Sequence, residues 1–254
     1  MVPAMYNLCL LQAEFEAFDL SSWRIGGYGG APMPVATIER LAAKIPGLRL
    51  INAYGSTETT SPSTLMPGEL TASHIDSVGL PCPGARIMVM GADGCEVPRG
   101  ETGEIWIGGA QVIKGYWNNP KATAETFTGG FWHSGDIGSI DADNFVRVFD
   151  RQKDMINRGG LKIYSAEVES VLAGHASVVE SAIVAKPCPV LGERVHAVVV
   201  TRDAVTAEAL RAWCAERLSD YKVPETIALS AEPLPRNANG KVMKRQLRET
   251  LGTG

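Results

Sequence analysis

No two of the five cysteines, Cys9, Cys82, Cys95, Cys188 and Cys214, form a C-x-x-C pair, and their number is odd. This argues against zinc-ribbon and dithiol-exchange chemistry and reads as reduced thiols of a cytoplasmic protein. Basic charge is not in excess either. Against 28 Asp and Glu stand 24 Lys and Arg, a net charge of −4, so no broad positive field would attract a nucleic-acid backbone. No apolar run approaches the ~18 residues needed for a membrane span. The apolar opening, Met1 to Leu11, lacks a basic lead-in and a small-residue cleavage site, and is expected to form a buried helix rather than a signal peptide. It carries no polar cap. Repeats and low-complexity tracts are also absent.

What is present is enough chain for one large domain or two smaller ones. Val35 to Lys44 has a helical period, with Ile38, Leu41 and Ala42 on one face, and Leu48 to Ala53 is a short apolar run closed by Tyr54-Gly55. A helix feeding a strand is expected there. From Ser77 to Asp150 short β segments (86–90, 104–107, 145–149) alternate with the turn signals Asp93-Gly94 and Asp141-Ala142-Asp143-Asn144. Beyond Asp150 the pattern changes again. Ser165 can N-cap a helix that ends at Gly174, strands are expected over 178–185, 195–201 and 226–229, Thr206 can cap a helix over 207–218, and a basic helix follows Lys241. The fold class read from this is α/β followed by a small all-β, barrel-like unit over residues 1–150, then a compact α+β domain over 151–254. The charged stretch Asp150 to Asp154 marks the junction.

Five segments carry candidate chemistry. Gly29-Gly30-Ala31-Pro32 lets backbone approach a ligand, although an ordinary turn is the commoner reason for such a pair. In Tyr54-Gly55-Ser56-Thr57-Glu58-Thr59-Thr60, the Tyr54 ring can pack on a planar base, Gly55 gives clearance, Thr57 can donate to phosphate and Glu58 can ligate Mg²⁺. Asp136, in a His133-Ser134-Gly135-Asp136 loop, can accept from both hydroxyls of a ribose, or form a plain Asx turn. His133 has no recognisable catalytic partner and reads as a packing or polar rim residue. Asp150 to Glu169 offers Arg151 for a second ribose contact and Gly159-Gly160 for close backbone approach, or is a solvated linker. Pro235 to Lys241 (PRNANGK) reads as a flexible loop presenting Lys241 to a reacting phosphate, while Lys244, Arg245 and Arg248 read as a solvated helix face.

In this order and spacing, these strings together with GEIWIGG (103–109) and GYWNNPKATAETF (115–127) resemble the adenylate-forming superfamily, specifically its acyl-CoA synthetase branch. The resemblance implies an ATP-dependent acid:CoA ligase in which a carboxylic acid, fatty or related, attacks the α-phosphate of MgATP and the thiol of coenzyme A then displaces AMP. A mobile C-terminal domain serves the two steps in two poses. Carried onto matching positions, the resemblance makes Gly29, Gly30, Ala31, Tyr54, Gly55, Asp136 and Arg151 nucleotide-binding. Thr57 contacts the α-phosphate, Glu58 holds Mg²⁺, Lys241 assists adenylation, Lys153 sits at the hinge, and Gly159 lies on the thiol path. The family's β,γ-phosphate loop precedes GGAP and has no counterpart in these 254 residues, so a separate N-terminal half is an expected partner. Two alternatives stand beside the ligase: a non-catalytic nucleotide- or partner-binding remnant, and an adenylation domain that loads a carrier protein. The form DMINRGGLKIY at the hinge is nearer to CoA ligases than to carrier-loading domains.

Overall fold

A computed structural model describes residues 1–238 and 240–251; Asn239, within the PRNANGK string, lies outside the described residues. Internal contacts gather into two units. One comprises Met1, Asp19–Gly30 and Ile45–Gln152; the other comprises Val2–Phe18, Ala31–Lys44 and the chain from Lys153 onward. The mixed α/β architecture agrees with the expected class.

The second unit begins with α1 (Pro3–Leu10) and α2 (Val35–Lys44). Helix α1 starts at a proline whose missing N–H is no loss at a helix start. It buries Pro3 and Tyr6 while Met5 and Leu8 are exposed at 48% and 54%, so the helix expected to be buried is buried on one side. Its Asn7 carboxamide oxygen accepts from the Thr37 hydroxyl (2.7 Å) and from Arg40 (3.2 Å) of α2.

The first unit holds β1 (Ile25–Gly29) and β2 (Arg49–Tyr54) as a parallel pair, extended antiparallel by β3 (Thr64–Leu65) and β4 (Leu80–Pro81). A second, five-stranded antiparallel sheet follows: β5 (Ala85–Met90), β6 (Gly103–Gly109), β7 (Phe127–Thr128), β8 (Phe131–Ile140) and β9 (Val146–Arg151), with β8 between β6, β7 and β9. Val89, Ile105, Ile107, Trp132, Ile140 and Val146 form its core. Helix α3 (Pro120–Thr126), capped by the Asn119 side chain accepting from the Ala122 N–H at 3.1 Å, precedes β7 and was not expected. Seven mostly polar residues present no apolar period to read.

In the second unit β10 (Ile156–Arg158), β11 (Leu161–Ile163), β12 (Val178–Cys188), β13 (Gly192–Thr201) and β14 (Thr226–Ser230) form a sheet centred on the long β12–β13 hairpin. Its strands are buried on both faces, between which successive side chains alternate. Ile183, Val195, Ala197 and Val199 meet Val168 and Leu172 of α4 (Ser165–Ala173) and Leu210 and Cys214 of α5 (Ala207–Ala215). On the opposite face Ala182, Val184 and Val200 meet Leu234 and Leu247, the latter from α6 (Lys244–Leu251). Thr206 caps α5 as expected, accepting from the Ala209 N–H at 3.1 Å. The cap of α4 is corrected: Tyr164 occupies that position, and Ser165 is the first helical residue. Its hydroxyl accepts from Lys244 Nζ at 2.6 Å, so the side chain is used across the fold instead of along the helix.

The β8–β9 turn shows how a short polar string sets a hairpin. Asp141 Oδ1 accepts from the N–H groups of Asp143 (3.0 Å) and Phe145 (2.9 Å), its Oδ2 accepts from Arg147 (2.8 Å), and Asn144 takes the left-handed conformation at φ 68°. Burial alone would raise the Asp141 carboxyl, but the Arg147 bond and charge and the two backbone donors outweigh it and hold the group below the usual carboxylate range. A lowered folded value stabilises above the unfolded midpoint near pH ~3.9, and this is lost as pH falls through the folded value. Asp141→Asn should therefore cost about 1 kcal/mol near neutral pH. The difference from wild type should close below about pH 4, read by urea unfolding at several pH values.

Candidate functional site

The first unit carries an open pocket of about 540 Å³, lined by residues that include Ser56, Glu58, Glu104, Tyr116, His133, Ser134, Gly135 and Arg151. Its floor is an irregularity in β8. Glu104 of β6 faces Ile137 and Trp106 faces His133, so three residues, Ser134, Gly135 and Asp136, stand opposite Ile105 alone. The HSGD string expected as a loop is thus a bulge inside a strand, with Gly135 at φ 67° supplying a left-handed step that other residues resist. Groups freed from the ladder are taken up locally. Ser134 Oγ donates to the Ile105 carbonyl (2.6 Å) and accepts from the Asp136 N–H (3.0 Å), while the Gly135 N–H donates to Glu104 Oε1 (3.0 Å). Glu104 Oε2 accepts from the Trp106 indole at 3.0 Å, and His133 stacks on that indole at 3.8 Å, in keeping with its reading as a packing residue.

The bulge delivers the Asp136 carboxylate to Tyr54, whose hydroxyl donates to Oδ2 at 2.7 Å. Directly across β9, Arg151 reaches Oδ1 at 3.3 Å; the Asp136 side chain is 9% exposed and that of Arg151 51%. Burial pushes the Tyr54 phenol well above its ordinary value, and the Asp136 charge and hydrogen bond push it further. The expected ribose carboxylate is therefore closed between the neutral Tyr54 donor and the half-exposed Arg151 guanidinium.

Glu58 sits in the short 3-10 turn Thr57–Thr59 that follows β2. Ser56 Oγ donates to one carboxylate oxygen, and Tyr116 donates to the other at 2.8 Å. Burial would raise this carboxyl, yet the Ser56 and Tyr116 hydrogen bonds, with smaller help from the Arg151 charge, bring it below its usual value. Thr57 is exposed beside it. Tyr116, missed in the sequence, lies 58 residues away in a string with no periodic signal; its only pointer was the GYW signature.

Two glycines serve the fold as well as any ligand. A Cβ on Gly29 would overlap the Ala53 carbonyl oxygen across the β1–β2 pair, and one on Gly55 would press on the Pro62–Ser63 backbone at 2.9–3.0 Å. Gly30 is left-handed at φ 78°, and Ala31 after it is exposed.

The remaining candidates lie in the second unit. Gly159 (φ 59°) and Gly160 (φ 90°) form the tip of the β10–β11 hairpin, where the Gly159 N–H donates to the Leu191 carbonyl at 2.8 Å. Lys153 is exposed in the turn after β9. The segment around Lys241, expected as a flexible loop, is a hydrogen-bonded turn. Arg236 bridges to Val242, the Asn237 N–H donates to the Lys241 carbonyl (3.0 Å), the Lys241 N–H donates to Asn237 Oδ1 (3.0 Å), and Arg236 donates to the Gly240 carbonyl (2.7 Å). The Lys241 side chain is exposed. The solvated face expected of α6 is also corrected. Lys244 pairs with Glu169 at 2.6 Å and Arg248 with Asp154, leaving Arg245, 89% exposed, as the solvated one of the three.

Among the described residues no cluster of three or more His, Cys, Asp or Glu side chains could cage a metal ion. Glu58 fits a different arrangement, in which Mg²⁺ is bound through one carboxylate and completed by substrate phosphates. Ser56, Tyr116 and the backbone N–H of Glu58 itself bond this carboxylate, fewer donors than its roughly four lone pairs accept.

The model of AMP-binding enzymes matches residues 1–117, and that of the AMP-binding enzyme C-terminal domain matches residues 167–241. A feruloyl-CoA synthase of Amycolatopsis sp is 38% identical over 253 residues, 99% of this chain and 51% of that protein. A long-chain-fatty-acid–CoA ligase of Yersinia pestis is 38% identical over 249 residues, 98% of this chain and 44% of that protein. The chain thus spans about half the length of the curated relatives it matches. Among solved structures, the o-succinylbenzoate CoA synthetase of Bacillus subtilis in complex with its acyl-adenylate superposes with a TM-score of 0.87 at 33% identity, covering 98% of this chain and 50% of that one. An amide bond synthetase from Marinactinospora thermotolerans gives 0.88 at 30% identity, covering 98% and 51%.

The enclosed Tyr54 hydroxyl has a direct optical consequence. At pH 10, where a free phenol is about half ionised, Tyr54 should remain protonated. Wild type and Tyr54→Phe should then show equal tyrosinate absorbance, and a deficit of about half an equivalent in the variant would mean that the Asp136 contact is open in solution.

Proposed function

The chain belongs to the adenylate-forming superfamily, and from that premise we propose that it serves AMP-forming activation of a carboxylic acid and transfer of the acyl group to coenzyme A. In the first step an acid oxygen bonds to the α-phosphorus of ATP and pyrophosphate leaves; in the second a thiol sulfur bonds to the acyl carbon and AMP leaves. The observation that carries this reading is the Tyr54–Asp136–Arg151 group beside Glu58 in one unit. A ribose diol can replace the loose Arg151 contact on Asp136, with Arg151 turning to a ribose oxygen and Tyr54 holding the carboxylate in place. The Tyr54 ring would border the adenine and the exposed Thr57 hydroxyl would donate to the α-phosphate. Magnesium on Glu58 would neutralise phosphate charge.

The same reading gives Lys241 the charge that develops at the α-phosphate, Lys153 the hinge and Gly159 the passage of the thiol. It treats 1–150 as part of the nucleotide-binding domain and 151–254 as the mobile domain. A phosphate-loop segment acting with this chain would complete the leaving-group site. Both aryl and fatty acids are candidate substrates, given the feruloyl- and long-chain-fatty-acid-specific relatives.

Calorimetry of the 254-residue chain tests the core of this reading. AMP should bind without metal, and Asp136→Ala should weaken it by one to two orders of magnitude, about the worth of hydrogen bonds to a charged acceptor. Absence of AMP and ATP binding would overturn the proposal. Where the two half-reactions are reconstituted, Lys241→Ala should slow acyl-AMP formation by about 10²–10³ and spare thiol attack on supplied acyl-AMP. Gly159→Leu should do the reverse, and equal slowing of both steps by either variant would refute the division of roles.

A further inference from the structure

We propose that Tyr116 is a positioning residue for the divalent cation, acting through Glu58; this rests on the reading of Glu58 as the cation's ligand. The phenol donates to one carboxylate oxygen at 2.8 Å while Ser56 Oγ donates to the other. A carboxylate held at both oxygens cannot rotate, and because both donors are neutral its full negative charge stays available to a cation. A lysine or arginine in either place would fix the group and cancel that charge.

The place of Tyr116 is itself built. At Gly115, φ is 153° and any side chain would run into Thr123. That close approach lets Thr123 Oγ1 accept from the Tyr116 N–H (2.9 Å) while donating to the Asn119 carbonyl (2.9 Å), so the cap region of α3 anchors the tyrosine backbone. Phe127 meets the ring edge-on at 5.6 Å and 70°. The same segment grips the turn that carries Glu58: the Ile113 N–H donates to the Glu58 carbonyl (2.9 Å), and Thr60 Oγ1 donates to the Gln111 carbonyl (2.8 Å). Backbone and side chain of Glu58 are therefore located by one stretch, 111–127, and Glu58 and Tyr116 line the same pocket.

Hydrogen bonds from such outer partners typically change metal affinity by about 10–100-fold. The test is the factor by which magnesium strengthens ATP binding to the 254-residue chain, measured by calorimetry in magnesium and in EDTA. Tyr116→Phe keeps the ring against Phe127 and removes the hydroxyl alone. It should reduce the magnesium factor by about tenfold while leaving AMP affinity in EDTA and the melting temperature near wild type. In a Glu58→Ala background the same change should have no further effect. Should Tyr116→Phe fail to fold, Ser56→Ala, which removes the other donor, should lower the magnesium factor alone. An unchanged magnesium factor with nucleotide still bound overturns this inference and leaves the proposed function standing. Equal losses of AMP and MgATP affinity overturn it in favour of a purely structural tyrosine. Loss of all nucleotide binding in the wild type overturns both.

Discussion

Asp136 meets Tyr54 because β8 carries three residues where β6 carries one. In a regular antiparallel ladder successive side chains alternate between faces, and a carboxylate at this depth in a hydrophobic sheet would be a liability. The left-handed step at Gly135 breaks that alternation, and Ser134 and Glu104 absorb the backbone groups it releases. The stacked Trp106–His133 pair beneath is fixed by the same Glu104 carboxylate. Without the bulge, Asp136 and Arg151 would still face one another across β8 and β9, but the bond from a residue 82 positions earlier would have no acceptor.

The three carboxylates Glu104, Asp136 and Glu58 differ in what their hydrogen bonds tie together. Glu104 is engaged on both oxygens by a backbone N–H and an indole, and serves structure. Asp136 accepts from the Tyr54 hydroxyl and makes a long contact to a half-exposed arginine. Glu58 has two neutral donors, so it is oriented without losing its charge. A hydrogen bond to a charged group is worth about 1.5–3 kcal/mol. A partly exposed ion pair is commonly worth about 1 kcal/mol or less. On that scale the Tyr54 contact is the stronger of the two on Asp136.

In the second unit the hairpin β12–β13 is covered on both sides, and α6 shows why. Leu247 closes the apolar face, and Lys244, three residues before Leu247 and four before Arg248, neighbours both on the helix surface. The charges of Lys244 and Arg248 end at Glu169 and Asp154. Long basic side chains can line an apolar contact with their stems and still reach carboxylates at its rim. Asn237 and Arg236 bond the backbone of Lys241 and Gly240, and the Lys241 side chain is exposed.

Much was legible without coordinates. The helical period of 35–44, the apolar run before Tyr54-Gly55, the Thr206 cap and the Asp141–Asn144 turn are local, because spacing and turn chemistry act within a few residues. The motif strings likewise singled out Glu58, Asp136 and Arg151 as candidates by residue type and order. Where reading failed, the cause was distance along the chain. Ser-Gly-Asp has the composition of a loop, yet the pairing on either side keeps it in a strand. Ser165 has the composition of a cap, yet a lysine 79 residues away takes its hydroxyl. Lys244 and Arg248 look solvated until their carboxylates are brought to them. The sequence by itself determined the family and the longer periodic elements, and it singled out candidate groups. Tertiary structure alone decided their partners, Tyr54 for Asp136 and Tyr116 for Glu58, because a side chain's hydrogen-bond partner is chosen by the packing of segments tens of residues apart, to which local periodicity is blind.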